Sequence, residues 1–140
     1  FMGVWFDYNN DHLIDLHVIN DRDIGTDALY ENSGNGIFND VAVSIGISNQ
    51  GQNPMTSSIS DYNNDGFQDI FLSDFGVDSI ITGAGPYHYK LFKNQEGTSF
   101  SDKAPEYNMA VNDFGWGALW VDYNNDMYED LYIKMTAITK

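Results

Sequence analysis

Cysteine is absent from the 140 residues. That excludes a disulfide scaffold, a thiolate zinc site and a cysteine nucleophile. Positive charge is scarce: 6 Lys+Arg stand against 21 Asp+Glu, for a net charge of −15. A nucleic-acid binder needs Lys and Arg to displace counterions from phosphate, so that class is excluded, as is a basic membrane-surface patch. No run of about 18 apolar residues occurs, so no helical membrane span is expected. No Asn-x-Ser/Thr acceptor for N-glycosylation is present. Apolar residues at a 3.6-residue period are missing over any useful length, although 39–47 and 102–109 are each long enough for a helical turn. The first residue is Phe, and no basic segment followed by an apolar run comes after it. The reading is a mature product or an excerpt, with any targeting signal outside it.

Enough apolar material is present for a core. Leu, Ile, Val and Phe make up 35 residues, and aromatics are 15% of the chain. The acids are unevenly chosen, with 17 Asp and 4 Glu. Asp is a poor helix former and a short-armed metal ligand.

The Asp residues are ordered by a repeat. Asp-Tyr-Asn-Asn-Asp-x-x-x-Asp occurs at Asp7–Asp15, Asp61–Asp69 and Asp122–Asp130, with starts 54 and 61 residues apart. Apolar residues alternate after each copy: Leu16 and Val18, Ile70 and Leu72, Leu131 and Ile133. Trp5, Ile59 and Trp120 stand two positions before each copy. Period-2 alternation on both sides predicts strand, Asp-rich loop, strand. A second block also recurs: Leu29–Asn32 with Gly34, Gly36, Phe38 and Asp40, then Leu91–Asn94 with Gly97, Phe100 and Asp102. It predicts a hairpin closed by a Gly turn.

One unit of about 55–60 residues therefore holds four short strands, which indicates an all-β fold of β-propeller blades with four antiparallel strands each. The units run approximately 1–54, 55–114 and 115–140, the last truncated. About two and a third blades do not close a ring, and open blade edges expose unpaired backbone groups. The expectation is part of a larger propeller, or edges covered by neighbouring copies.

Side-chain oxygens at loop positions 1, 3, 5 and 9, with one backbone carbonyl, can converge on a hard cation that takes six to eight oxygens at roughly 2.3–2.6 Å. The first loop would supply Asp7, Asn9, Asp11, Asp15 and the carbonyl of Leu13. The second would supply Asp61, Asn63, Asp65, Asp69 and the carbonyl of Phe67. The third would supply Asp122, Asn124, Asp126, Asp130 and the carbonyl of Tyr128. No sulfur or imidazole stands at a ligand position, which selects Ca²⁺, up to three ions, over zinc or copper. An EF-hand needs Glu at position 12, where Val18, Leu72 and Ile133 stand instead. Plain turn formation by Asp and Asn accounts for one such loop. It does not account for three with the same spacing, because three carboxylates in one loop repel each other without a counter-ion.

These residues resemble the FG-GAP (VCBS-type) repeat family, whose Asp-x-Asp/Asn-x-Asp-Gly-x-x-Asp loop is met in full by Asp61–Asp69. The block Leu29–Ala42 is similar to the family's bacterial extracellular members. So is Gly115–Val121 leading into Asp122, where Phe114-Gly115 and Gly117-Ala118 form a compressed echo of the family name. The resemblance implies a seven-bladed, integrin-head-like propeller with Ca²⁺ in the loop joining the first two strands of a blade. It implies extracellular adhesion or ligand binding rather than one fixed chemistry. Two copies depart from the pattern: position 6, usually Gly, is His12 in the first loop and Met127 in the third. If that position is left-handed, a non-Gly residue costs about 1 kcal/mol. The second loop is then the strongest site and the third the weakest.

No catalytic constellation is visible. His12, His17 and His88 are scattered; Ser57, Ser58 and Ser60 lie outside any Gly-x-Ser-x-Gly. Trp5 and Trp120 share a repeat position, which favours the blade core. Trp116 has no counterpart and is the better surface residue. The segment 74–89 breaks the repeat, which makes Asp78, Tyr87 and His88, with Trp116, the weaker candidates for ligand binding. The reading is a non-enzymatic calcium-binding module, extracellular or at a bacterial cell surface. Its partner would be a protein or carbohydrate ligand. The alternatives are a subunit of a self-associating extracellular filament and part of a carbohydrate-active enzyme.

Overall fold

The computed structural model describes residues 2–20, 26–48, 53–74, 89–109 and 114–136. The first sheet contains β1 (Met2–Phe6), β2 (Asp15–Ile19), β3 (Ala28–Asn32) and β4 (Phe38–Asp40). A short helix α1 (Ala42–Ile45) follows, ended by Gly46 in the left-handed region at φ 86°. The second sheet contains β5 (Pro54–Ser60), β6 (Asp69–Asp74), β7 (Lys90–Asn94) and β8 (Phe100–Asp102). The third pairs β9 (Phe114–Val121) with β10 (Asp130–Thr136). All pairings are antiparallel, and both four-stranded sheets follow chain order. The strands predicted from the alternation are present, and the four-strand meander is seen twice. Of the two candidate helical turns, the first holds α1 and the second makes hydrogen-bonded turns such as Glu106 N–H to Lys103 O at 3.0 Å. No helix among the described residues is long and apolar enough to cross a membrane.

The alternation has a specific consequence: the second sheet faces a neighbour on either side. All six residues of β6 are buried. Ile70 and Leu72 join Phe6, Tyr8, Ile19 and Leu29 of the first sheet in one core. Phe71, between them, points the other way and joins Tyr89 and Leu91 in a second core, against which Trp120, Leu131 and Ile133 of the third sheet pack. The cores thus lie between sheets. The first strands run in series, with β5 packed beside both β1 and β9. At about 25 cal/mol per Å² of apolar surface removed from water, burial of these large side chains dominates the stacking.

Trp5 departs from expectation. Its repeat counterpart Trp120 is partly buried against the preceding sheet, but Trp5 is 60% exposed, with Phe38 edge-on beside it. The residue type and position are the same; the difference is that, among the described residues, no sheet stands over this face of the first one.

Candidate metal centres in three equivalent loops

Each Asp-rich loop is closed by the same register. Phe6 pairs with Asp15, Ser60 with Asp69 and Val121 with Asp130, so position 9 lies directly across from the residue before position 1. The hairpin therefore brings the first and last carboxylates of each loop to its neck.

The carboxylate at position 1 clamps the turn. Asp7 accepts the N–H groups of Asp11 at 3.2 Å and His12 at 2.9 Å. Asp61 accepts those of Asp65 at 2.9 Å and Gly66 at 2.8 Å. Asp122 accepts those of Asp126 at 3.0 Å and Met127 at 2.9 Å. Position 5 then holds position 7: Leu13 N–H donates to Asp11, Phe67 to Asp65 and Tyr128 to Asp126, at 2.8, 3.1 and 2.9 Å. These bonds leave further lone pairs on each carboxylate, since an ionised carboxylate has about four acceptor sites.

Position 9 is the buried anchor in the first two loops. Asp15 and Asp69 are both fully shielded from solvent. Asp15 accepts Tyr8 N–H at 3.1 Å and Asn32 N–H at 2.8 Å. Asp69 accepts Asn94 N–H at 2.7 Å and the Asn63 amide at 2.9 Å. Burial pushes the Asp69 carboxyl up to about 7, and the charges of Asp65 and Asp61 push in the same direction against Asn94 N–H and Lys93. Burial raises Asp15 likewise. Lys93 Nζ, 3.2 Å from Asp65, offsets part of the negative charge of the second loop.

The donor set is made of oxygen alone, as a hard cation requires. Two candidate ligand atoms are shut off from solvent and have no hydrogen-bond partner: Oδ1 of Asn63 and Oδ2 of Asp130. Buried polar atoms are normally satisfied, and a bound ion is one explanation of such an orphan. Among the described residues no three carboxylate or imidazole groups close on one point; the carboxylates are held along each loop by the N–H groups just named. On donor chemistry the residues fit Ca²⁺.

Position 6 is left-handed in all three loops, which meets the condition on which the strain at His12 and Met127 depends: φ is 68° at His12, 90° at Gly66 and 71° at Met127. Position 4 is left-handed too, at Asn10, Asn64 and Asn125 with φ of 60°, 58° and 61°. Sequence reasoning assigned these asparagines no role, although their recurrence in all three copies was the available signal. The Asn10 amide donates to Gly66 O at 3.0 Å, and the Asn64 amide to Met127 O at 3.2 Å. Each loop thus binds position 6 of the next loop. In the reverse direction Asn94 donates to Tyr8 O of the previous loop at 2.8 Å, and to Gln68 O of its own at 3.0 Å.

Among the weaker candidates, Trp116 is half exposed on β9. Asp78, Tyr87 and His88 lie outside the described residues. His17 is buried, with Nδ1 3.0 Å from Ser57 Oγ across the first two sheets, so its place is structural.

Residues 7–72 match the family model described as FG-GAP-like repeat. No curated protein matches the chain.

Proposed function

Starting from a chain whose residues 7–72 belong to the FG-GAP-like repeat family, we propose that it is a calcium-binding module of the β-propeller type. Its role is structural or adhesive, outside the cell or at its surface, toward a protein or carbohydrate ligand. The observation that carries this reading is the threefold repetition of one hydrogen-bonded clamp around nine aspartates, with Oδ1 of Asn63 and Oδ2 of Asp130 buried and unpartnered. In each loop the position 1, 3, 5 and 9 side chains would hold the ion. Bound Ca²⁺ would supply the positive charge that lets three carboxylates share one turn. The protein's own part is to orient these oxygens, through the N–H clamp at position 1 and the strand register at position 9. Because each loop binds the next through Asn10 and Asn64, ordering the loops also orders the sheets. Loops of this ligand type suit the weak sites of extracellular modules, about 10⁻⁴–10⁻³ M.

The test is thermal melting with Ca²⁺ and with chelator, alongside calorimetric titration. A site saturated at about a hundred times its Kd adds about 2.7 kcal/mol. Chelation is expected to lower the melting temperature sharply. Asp65→Ala should weaken calcium binding more than Asp126→Ala does. An unchanged melting curve in chelator would overturn the metal assignment.

A further inference from the structure

The first two loops bond the same residue types differently. In the first, position 3 serves position 5: the Asn9 amide donates to Asp11 Oδ2 at 3.2 Å, and Asn9 Oδ1 accepts the Asp11 N–H at 3.1 Å. In the second, the ammonium of Lys93 stands on Asp65 Oδ2 at 3.2 Å. The Asn63 amide turns instead to Asp69 Oδ2 at 2.9 Å, and Asn63 Oδ1 is left buried without a partner. The other oxygen of position 5 is engaged alike in both loops. Asp65 Oδ1 accepts the Phe67 N–H at 3.1 Å, and Asp11 Oδ1 that of Leu13 at 2.8 Å.

The cause lies in the third strand of each sheet. β3 and β7 are equivalent: Tyr30 pairs with Leu16 as Phe92 pairs with Ile70. The Asn32 and Asn94 N–H groups each donate to position 9 of their loop, at 2.8 and 2.7 Å. The residue before that asparagine is Glu31 in the first sheet and Lys93 in the second. Glu31 accepts the hydroxyl of Tyr8. As an ionised carboxylate it has no donor to offer Asp11, so the Asn9 amide keeps that oxygen. Among the described residues, no other Lys or Arg pairs with a loop carboxylate.

We propose, building on calcium binding by this loop, that Lys93 is a tethered counter-cation that competes with the metal for Asp65 and so sets the affinity of the second loop. A cation taking Asp65 Oδ2 has to displace an ammonium, whereas one taking Asp11 Oδ2 displaces only an amide. The ammonium bond is charge-assisted and roughly twice as strong as one from a neutral donor. Without Lys93, the Asn63 amide is free to return to Asp65 as Asn9 does to Asp11, and that weaker donor yields more readily. In the metal-free chain the same ammonium offsets the repulsion among Asp61, Asp65 and Asp69. Lys93 therefore stabilises the empty loop and weakens the filled one.

Gly66 reports on this loop alone, because position 6 is His12 and Met127 in the other two. Its N–H donates to Asp61 at 2.8 Å, so its amide resonance in NMR follows the state of the loop during titration with calcium chloride. Lys93→Met keeps the stem and loses the charge. It should move the Gly66 midpoint to about two- to fivefold lower calcium, the scale of an ion pair whose side chains are about a third exposed. Lys93→Arg keeps the charge and should bind no tighter than wild type. Lys90→Met removes the same charge from a pair with Asp102 at 2.8 Å and should leave the midpoint in place. In chelator, Lys93→Met should speed hydrogen exchange at the Gly66 amide. A Gly66 signal that ignores calcium in wild type and Lys93→Met alike would overturn the metal reading and this proposal with it. A signal that responds, but with one midpoint for wild type and Lys93→Met, with an equal shift in Lys90→Met, or with unchanged exchange in chelator, would overturn the role of Lys93 and leave calcium binding standing.

Discussion

The side-chain amide of Asn10 donates to the backbone carbonyl of Gly66 at 3.0 Å, joining two loops 56 residues apart. Asn64 does the same to Met127 at 3.2 Å. Loops that resemble three separate cation sites in sequence are thus links in one chain of hydrogen bonds running across the sheets.

Removing a link should weaken sheet stacking. Glycine is the appropriate replacement, because all three asparagines sit at positive φ. Asn10→Gly and Asn64→Gly should each cost about 1 kcal/mol, the net worth of one hydrogen bond. Asn125→Gly, in dilute solution, should stay within about 0.5 kcal/mol of wild type. Urea denaturation measures all three. Equal losses would mean that the amide serves its own loop rather than the next.

Gly97 should tolerate no side chain. An added Cβ would meet Asn9 Cα at 2.8 Å and Asn9 O at 3.1 Å, both backbone atoms of the neighbouring sheet's loop. Gly97→Ala is expected to cost at least about 2 kcal/mol, from overpacking plus the left-handed backbone. Gly36→Ala is the control. Its φ is similar at 76° but nothing lies within 4 Å of the new Cβ, so it should cost only about 1 kcal/mol.

Position 6 should respond in opposite directions in different loops. His12→Gly and Met127→Gly relieve a side chain at φ 68° and 71°, and each should stabilise by about 1 kcal/mol. Gly66→Ala should destabilise by a similar amount through backbone strain alone, since its surroundings are open. Calorimetric melting of the three variants decides this, and a loss in Met127→Gly would contradict it.

Acid should destabilise the protein through His17. Burial lowers its pKa from 6.5 to about 4. Between those values the unfolded chain binds a proton that the folded chain does not, so stability rises with pH there and is lost as pH falls. The full shift is worth about 3 kcal/mol, and this group contributes no further slope below about pH 4. Asp69, raised toward 7, works the other way in the absence of metal. The readout is therefore the difference between wild type and His17→Phe, which copies Phe71 of the second sheet. That variant should show a flatter acid limb in denaturation curves taken from pH 7 to pH 4.

Strand and loop placement was legible because it is local. Period-2 alternation around Asp7, Asp61 and Asp122 sets which residues lie across a hairpin from one another. The Gly at position 6 of the second loop raised the question of a left-handed turn there, and the backbone answers it in all three loops. The role of Asn10 was not legible, because its acceptor lies 56 residues away and hydrogen bonds to a backbone carbonyl leave no side-chain signature in sequence. Nor was the difference between Trp5 and Trp120, which are the same residue in the same repeat position.

By itself the sequence determined the strand–loop–strand unit, its repetition, and an oxygen-only set of acids at the loops, all dictated by spacing along the chain. Only the tertiary structure decided what each repeated residue faces. A side chain on a strand is directed by the pleat, but its burial depends on whether another sheet stands over it. That is why Tyr8 is enclosed and Tyr123 is open.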